Sequence, residues 1–508
     1  MEQRLGMAAL TARRMAFPRL GASRVYALAG VFLLALFGLI AHTYSTGTLT
    51  EAGGSLLHAL PNPLHPAPVE TPRNTFAPPR RKPTPTWTPP AQTEPFPALA
   101  SSTGAPPEVP LHNRPRPDMH VEYGLTHAPP LFIGFTRQWA VLLQAVVSYI
   151  TAGWPPASIY VVENTGVQGA NAAGRLSLQN PFYLNHTTLK RLGVNVVETP
   201  VLLSFAQLQN FFLHLAKTRS WPYYFYSHQD VLVFSLEDGA DDTHRPGDRA
   251  WEFDGPQDEA DAMRPPAAGQ PGYRTIYENC LREINHTVAT DKRWAFRWFQ
   301  YDHLALVNRA ALDAIGGWDS LIPYYLSDCD MNARLVMEGW SMRHRRVGIV
   351  NDIASTLADL GALYRDPRVV PKFVDPNPFV VPPPPEGEDG SKQPSPPPPP
   401  PPLKPVYDAA GANLSDPVEY FRALVRVGSA MGEHKYGNRG RNTWQASQRG
   451  GFGEPYYYDP VGFATAFDIL TEAGREVYRR KWGHRDCDLV EGTALKLWDQ
   501  WLVEKDWD

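Results

Sequence analysis

Cysteine is scarce in this sequence: Cys280, Cys329 and Cys487 are the only three in 508 residues. So few exclude a disulfide scaffold. An oxidising compartment allows one bridge and leaves one thiol over, with the pair undetermined. Stability must therefore come from a hydrophobic core, and an apolar fraction of 43% over this length can supply one. Net charge is nearly missing as well. A value of −4 at pH 7 offers no footing for a nucleic-acid partner. Neither a Gly-x-Ser-x-Gly elbow nor a His-Glu-x-x-His helix occurs, which disfavours the commonest hydrolase chemistries.

Apolar residues are concentrated near the N-terminus. The run Val25 to Ala41, VYALAGVFLLALFGLIA, carries no charge. At about 1.5 Å per helical residue it is close to the minimum for crossing a hydrocarbon core of roughly 30 Å. Arg4, Arg13, Arg14, Arg19 and Arg24 precede it against the single acid Glu2. That imbalance keeps the N-terminus cytoplasmic and sends the rest of the chain across. The basic region is long, the apolar run exceeds a usual h-region and the flank HTYSTGTLT lacks a clean small-x-small cleavage site, so the run reads as an uncleaved anchor rather than a signal peptide. Sequons at Asn185, Asn285 and Asn413 agree with a luminal location.

Proline is abundant, at 52 residues, and unevenly spread. The expected organisation is a tail (1–24), an anchor (25–42), a disordered proline-rich stem (43–130), a core domain (131–375), a second proline-rich insertion (376–405) and a C-terminal helical section (406–508). Gly239 to Gly272, acidic and rich in breakers, reads as a surface loop. Within the core domain, apolar runs alternate with helical spacing: LFIGFT, RQWAVLLQAVVSYITAGW, IYVVENTG, VNVVETP, SFAQLQNFFLHLAKTRSW, then YYFYSHQDVLVF as a fourth strand. This order predicts an α/β fold with a mostly parallel sheet flanked by helices. Ligands on such sheets sit at the carboxyl ends of strands, which singles out Thr136, Arg137, Glu163, Asn164, His228, Gln229 and Asp230.

Two motifs carry chemistry. Ser227-His-Gln-Asp230 places an acid at a strand end, where a hard oxygen ligand can hold a divalent cation against a diphosphate. Gly316-Gly-Trp-Asp319 is followed by Ser327-Asp-Cys-Asp-Met-Asn-Ala-Arg-Leu335, with acids at a helix start. In this order on one sheet, the pieces resemble glycosyltransferases of the GT-A (Rossmann-like) fold. The likeness is to the family-2 type and its fungal type II membrane-bound relatives, and it covers Leu131 to about Leu360.

The resemblance implies an inverting transfer of sugar from a nucleotide-diphosphate sugar, UDP-linked, with Asp328 as general base. Thr136, Arg137, Glu163, Asn164, Asn210, His228 and Gln229 would contact the nucleotide sugar, with Val161 to Gly166 meeting the uracil. Trp318, Asp319, Asp330 and Arg334 would shape the acceptor side, Trp318 by stacking on the sugar. Mn²⁺ or Mg²⁺ would be held by Asp230, His228 and Asp352, the last preferred over His344. The departure is His228, which stands where the family's first acid belongs. Tyr301 and Asp302 are further candidates for substrate contact, and Lys435, Arg439 and Arg441 in a mobile basic loop for closing over the diphosphate. The acceptor would be a glycan, glycoprotein or glycolipid, and the place a Golgi or other secretory membrane. The competing expectation is a catalytically impaired protein of the same fold that binds glycans or assembles complexes.

Overall fold

A computed structural model describes residues 78–81, 93–100, 105–239, 266–375, 407–438, 454 and 460–507. The chain divides into two units, Met1–Pro85 and Thr86–Asp508, and of the first only 78–81 is described, without regular structure. The predicted tail and anchor, most of the stem, the insertion, and Arg439 and Arg441 lie outside the described residues. Among the described residues no helix is long and apolar enough to cross a membrane.

The centre of the second unit is a seven-stranded sheet in the order β3-β2-β1-β4-β7-β6-β8. Its strands are β1 (Leu131–Phe135), β2 (Ile159–Glu163), β3 (Asn195–Glu198), β4 (Tyr223–Ser227), β6 (Trp294–Trp298), β7 (Leu304–Asn308) and β8 (Ser341–His344). β1 pairs parallel with both β2 and β4, and β7 alone runs against its neighbours. The expected α/β architecture, a mostly parallel sheet flanked by helices, is therefore what forms. The apolar runs of β1 and β2 are buried on both faces, as a parallel sheet covered by helices requires.

Helices of seven residues or more are labelled here. On one face of the sheet, α1 (Trp139–Thr151), α3 (Ile276–Thr290) and α6 (Pro417–Asn438) share a core with β1. On the other, α2 (Phe205–Thr218), α4 (Arg309–Ile315) and α5 (Ser327–Met337) pack round Phe132, Phe296 and Trp318. α1 is mostly apolar and is buried all round, with Ala140 its one partly buried residue and its polar Gln144, Ser148 and Thr151 hydrogen-bonded to backbone carbonyls. α2 approaches closely at Gly134, where an added Cβ would lie 2.6 Å from Leu208. α7 (Pro460–Trp482) joins α5 through a small third core of Ile322, Ala333, Tyr478, Trp482 and Leu489.

Three expectations need correction. The fourth apolar run is two strands, not one. Ser227-His-Gln-Asp230 breaks it, and β5 (Val231–Phe234) leaves the main sheet to pair antiparallel with β9 (Ile349–Asp352). Part of the supposed stem is folded: Phe96, Leu99 and Met119 are buried. That segment is too poor in apolar surface to fold alone, but it borrows an existing core. Phe96 stacks on Tyr364 at 5.5 Å, Glu94 accepts a hydrogen bond from the Trp139 indole at 3.2 Å, and Asn113 donates to the Thr151 carbonyl at 2.8 Å. Finally, LVEGTALKLWDQWLVEKDW is not a helix beyond the single 3-10 turn Leu497–Asp499. The Thr493 hydroxyl donates to the Leu489 carbonyl and accepts from the Leu495 amide, so it competes with helical pairing there.

The cysteine pairing left open by the sequence is settled. Cys329 of α5 bridges Cys487, and Cys280 stays a buried thiol within the core that contains β1. The bond ties α5 to the chain that follows α7.

Candidate active site

A cavity of about 460 Å³ opens at the carboxyl ends of β1, β2 and β4. Strand ends reach it because the backbone there stops pairing and its side chains face the crevice. Thr136, Arg137, Asn164, His228, Gln229 and Asp230 all line it, and so do Asp328 and Asp352 from the other half of the domain. Gln229 stitches the floor, accepting from the Thr136 amide at 3.2 Å and donating to the Arg137 carbonyl at 2.6 Å. The Arg137 guanidinium lies over the Phe463 ring of α7, 4.1 Å from its centroid.

Asp328 is the second residue of α5, whose N-cap, Leu326, lies in the left-handed region (φ 69°). Its carboxyl accepts a hydrogen bond from the Tyr301 hydroxyl at 3.1 Å. Burial pushes this carboxyl above the ordinary aspartate range, and the nearby Asp302 charge pushes the same way. Tyr301 itself sits in the β6–β7 turn with Gln300 before it, both at positive φ (52° and 68°). Two adjacent non-glycine residues in that region hold strain of the kind found where a side chain must be aimed. A carboxyl raised by its surroundings and facing a cavity suits a group that takes a proton.

The opposite wall is charged. Asp230 ends its polar turn beside Asp352, because β5 and β9 pair Val231 with Asp352. Between the two carboxylates lies Lys435, on the last turn of α6. Its ammonium donates to Asp230 Oδ2 at 2.8 Å and to Asp352 Oδ1 at 2.5 Å, and the Tyr436 hydroxyl takes Asp352 Oδ2 at 2.6 Å. Burial alone would push Lys435 down, yet the two carboxylates outweigh it and hold the ammonium above its ordinary range. Asp230 is the mirror case: burial would raise it, and Lys435 with His228 and His303 holds it below the ordinary range. His228 Nε2 lies 3.6 Å from Asp302, and His303 Nε2 lies 3.6 Å from Asp352.

This arrangement does not fit the expected metal set. One oxygen of each carboxylate is engaged by a cation of the chain itself, and the second oxygen of Asp352 by the Tyr436 hydroxyl. His228, Asp230 and Asp352 do not converge as a ligand group. Among the described residues, the acidic and imidazole side chains that do converge, within 4.8 Å, are Glu163, His186 and Glu198, outside the cavity lining. There Glu163 Oε2 and His186 Nε2 are already joined at 2.7 Å.

Six of the predicted contacts hold the scaffold instead of facing the cavity. Glu163 is fully buried and accepts from Thr165, Asn171 and His186, so it fixes its own turn. Asn210 donates to the Trp318 carbonyl and accepts from the Trp318 amide, both at 2.8 Å. This clamp explains the glycine before Trp318: at Gly317, φ is +77° and an added Cβ would lie 2.6 Å from Asn210 Oδ1. Trp318 is buried edge-on against Phe205, not offered to a sugar. Asp330 is 0% exposed and held by Arg334 (2.8 Å), the Trp482 indole (2.9 Å) and Lys481 (2.7 Å). Arg334 also caps the carbonyls of Ile315 and Gly317, and Asp319 takes the Lys481 ammonium at 2.7 Å. Arg and Lys ties of this sort lock α5 to α7 and to the double-glycine turn.

Two cavity groups were misjudged or missed from sequence. Lys435 was expected on a mobile loop but is 2% exposed on α6. Tyr420, Leu424, Val427, Met431 and Lys435 follow one another at helical spacing, so a lysine continuing a buried stripe was the available signal. His303 carried no signal beyond its place after Tyr301 and Asp302.

No family model and no curated protein matches this chain. Among solved structures, a mannosyltransferase from Pyrobaculum calidifontis in complex with GDP-Man and Mn²⁺ is 12% identical, with a TM-score of 0.26 over 44% of this chain. This chain spans 56% of that mannosyltransferase. A cytidylyltransferase from Leptospira borgpetersenii is 10% identical, with a TM-score of 0.23 over 43% of this chain and 76% of that one. Likenesses this slight carry no argument about activity. What the chain's own geometry defines is an α/β domain with a charged crevice at the carboxyl end of a mostly parallel sheet.

Proposed function

We propose that this chain is an inverting glycosyltransferase that moves a sugar from a nucleotide-diphosphate sugar, UDP-linked, to a hydroxyl of a glycan, glycoprotein or glycolipid. The observation that carries the reading is Asp328: a raised carboxyl, aimed by Tyr301 and facing the strand-end residues across one cavity. In this reading the nucleotide lies along Thr136, Asn164 and Gln229, and Arg137 and Lys435 are the fixed cations nearest the diphosphate. Asp328 removes the acceptor's proton as its oxygen attacks the anomeric carbon, and the nucleoside diphosphate leaves from the opposite face. The Cys329–Cys487 bridge supports an oxidising secretory compartment, consistent with the anchor-like run Val25 to Ala41 and a Golgi-type membrane location.

A second reading, a glycan-binding protein of the same fold without transfer, is favoured by one observation: the chain's own lysine sits between Asp230 and Asp352. One assay separates the two. The full chain in detergent is offered common nucleotide sugars and its products are scored, with and without Mn²⁺. Asp328→Asn is expected to lower transfer by about two to four orders of magnitude while nucleotide binding persists. Equal rates for the variant and the parent would sink the enzyme reading.

A further inference from the structure

We infer that Lys435 is the resident cation of this site, filling the seat between Asp230 and Asp352 so that the donor's diphosphate meets a lysine rather than a divalent metal. The seat is defined by geometry alone; that a diphosphate faces it rests on the nucleotide-sugar reading above.

Mg²⁺ binds oxygen at about 2.0–2.1 Å and demands near-octahedral freedom around its ligands. Here Asp230 Oδ2 and Asp352 Oδ1 point at one ammonium, and Asp352 Oδ2 is taken by Tyr436. An ion using the same oxygens would lie within a few ångströms of Lys435 Nζ, so the two cations exclude one another. Nor is the lysine loosely delivered. Two turns earlier on α6, an added Cβ at Gly428 would meet Phe234 at 3.0 Å and Leu232 at 3.2 Å, so the helix lies directly on β5. Phe421, Leu424, Val427 and Met431 bury the same stripe. The trio of Asp230, Asp352 and Lys435 carries one net negative charge. The Arg137 guanidinium lines the same cavity and offsets it when an anionic donor arrives.

The test is a titration of the EDTA-stripped full chain with Mn²⁺ alone, followed by the electron paramagnetic resonance of free ion. The parent is expected to show no saturable site that depends on Asp230, and any Mn²⁺ taken up by Glu163, His186 and Glu198 is set apart by its indifference to Asp230→Asn. Lys435→Gln is expected to vacate the seat and bind one Mn²⁺ per chain, and adding Asp230→Asn is expected to abolish that site. A parent chain that binds one Mn²⁺ lost on Asp230→Asn overturns the inference, as does a folded Lys435→Gln chain that binds none. Should Lys435→Gln not fold, melting of the parent with UDP decides: a rise indifferent to EDTA supports the lysine, and one that requires Mn²⁺ overturns it. If UDP raises melting under no condition, the nucleotide-sugar reading fails, and the Mn²⁺ titration of the parent still decides the seat.

Discussion

Replacing both Cys329 and Cys487 by serine removes a cross-link that closes a loop of 158 residues. In the chain-entropy treatment, such a loop confines the unfolded chain by about 17 cal/mol/K, or about 5 kcal/mol at 25 °C. The folded state should tolerate the change, because α5 and α7 remain joined by Trp482 and Lys481 on Asp330, and Lys481 also holds Asp319 in the turn before α5. We therefore expect a loss of about 2–5 kcal/mol in unfolding free energy, the lower figure allowing for residual order in the unfolded chain. The assay is urea unfolding of the parent under non-reducing conditions against the double variant, with tryptophan fluorescence as the probe. Dithiothreitol should lower the parent's midpoint to that of the variant. A difference under about 0.5 kcal/mol would show that the bridge does not constrain the unfolded chain as supposed.

Tyr301→Phe removes the hydroxyl that donates to Asp328, so the base is expected to titrate higher still and the acid limb of the rate profile to move up in pH. At neutral pH the loss should be about 2- to 13-fold, the worth of one hydrogen bond of about 0.5–1.5 kcal/mol; an unmoved acid limb contradicts the assignment. Asn210→Ala breaks both bonds to the Trp318 backbone, and about 1–3 kcal/mol of stability should go with them. Its nucleotide affinity, read by calorimetry, should stay at the parent value, and a tenfold weakening would restore Asn210 to the ligand.

Much of the sheet was legible because buried parallel strands leave short apolar runs, and LFIGF and IYVVE are such runs. The strand ends followed from topology, so Thr136, Asn164, His228 and Asp230 were found by position. What failed was the distinction between a residue that faces the cavity and one that holds the scaffold behind it. Asp328 and Asp330 share a helix start, but a two-residue step on α5 turns one to the cavity and the other onto Trp482 and Lys481. No spacing argument reveals that, because the deciding partners lie 152 and 151 residues further on. The same holds for Lys435, 205 residues from Asp230. Local pattern reads faces of elements, and long-range pairing decides which face the site uses.

That distance along the chain has a consequence for how the molecule is made. The ribosome releases the seven strands of the main sheet before α6 or α7 exists, so the growing domain passes through a stage in which Asp230, Asp352 and Asp330 lack their lysines. During that stage Asp230 and Asp352 face each other without the cation that lets them be buried, and Cys329 has yet to meet Cys487. Completion arrives with Lys435, Lys481, Trp482 and Cys487, all from the last quarter of the chain. A product cut short before Lys435 would lack the partners of these carboxylates together with Tyr478 and Trp482 of the third core, so the C-terminal section completes both the charge pairing and the packing of the domain.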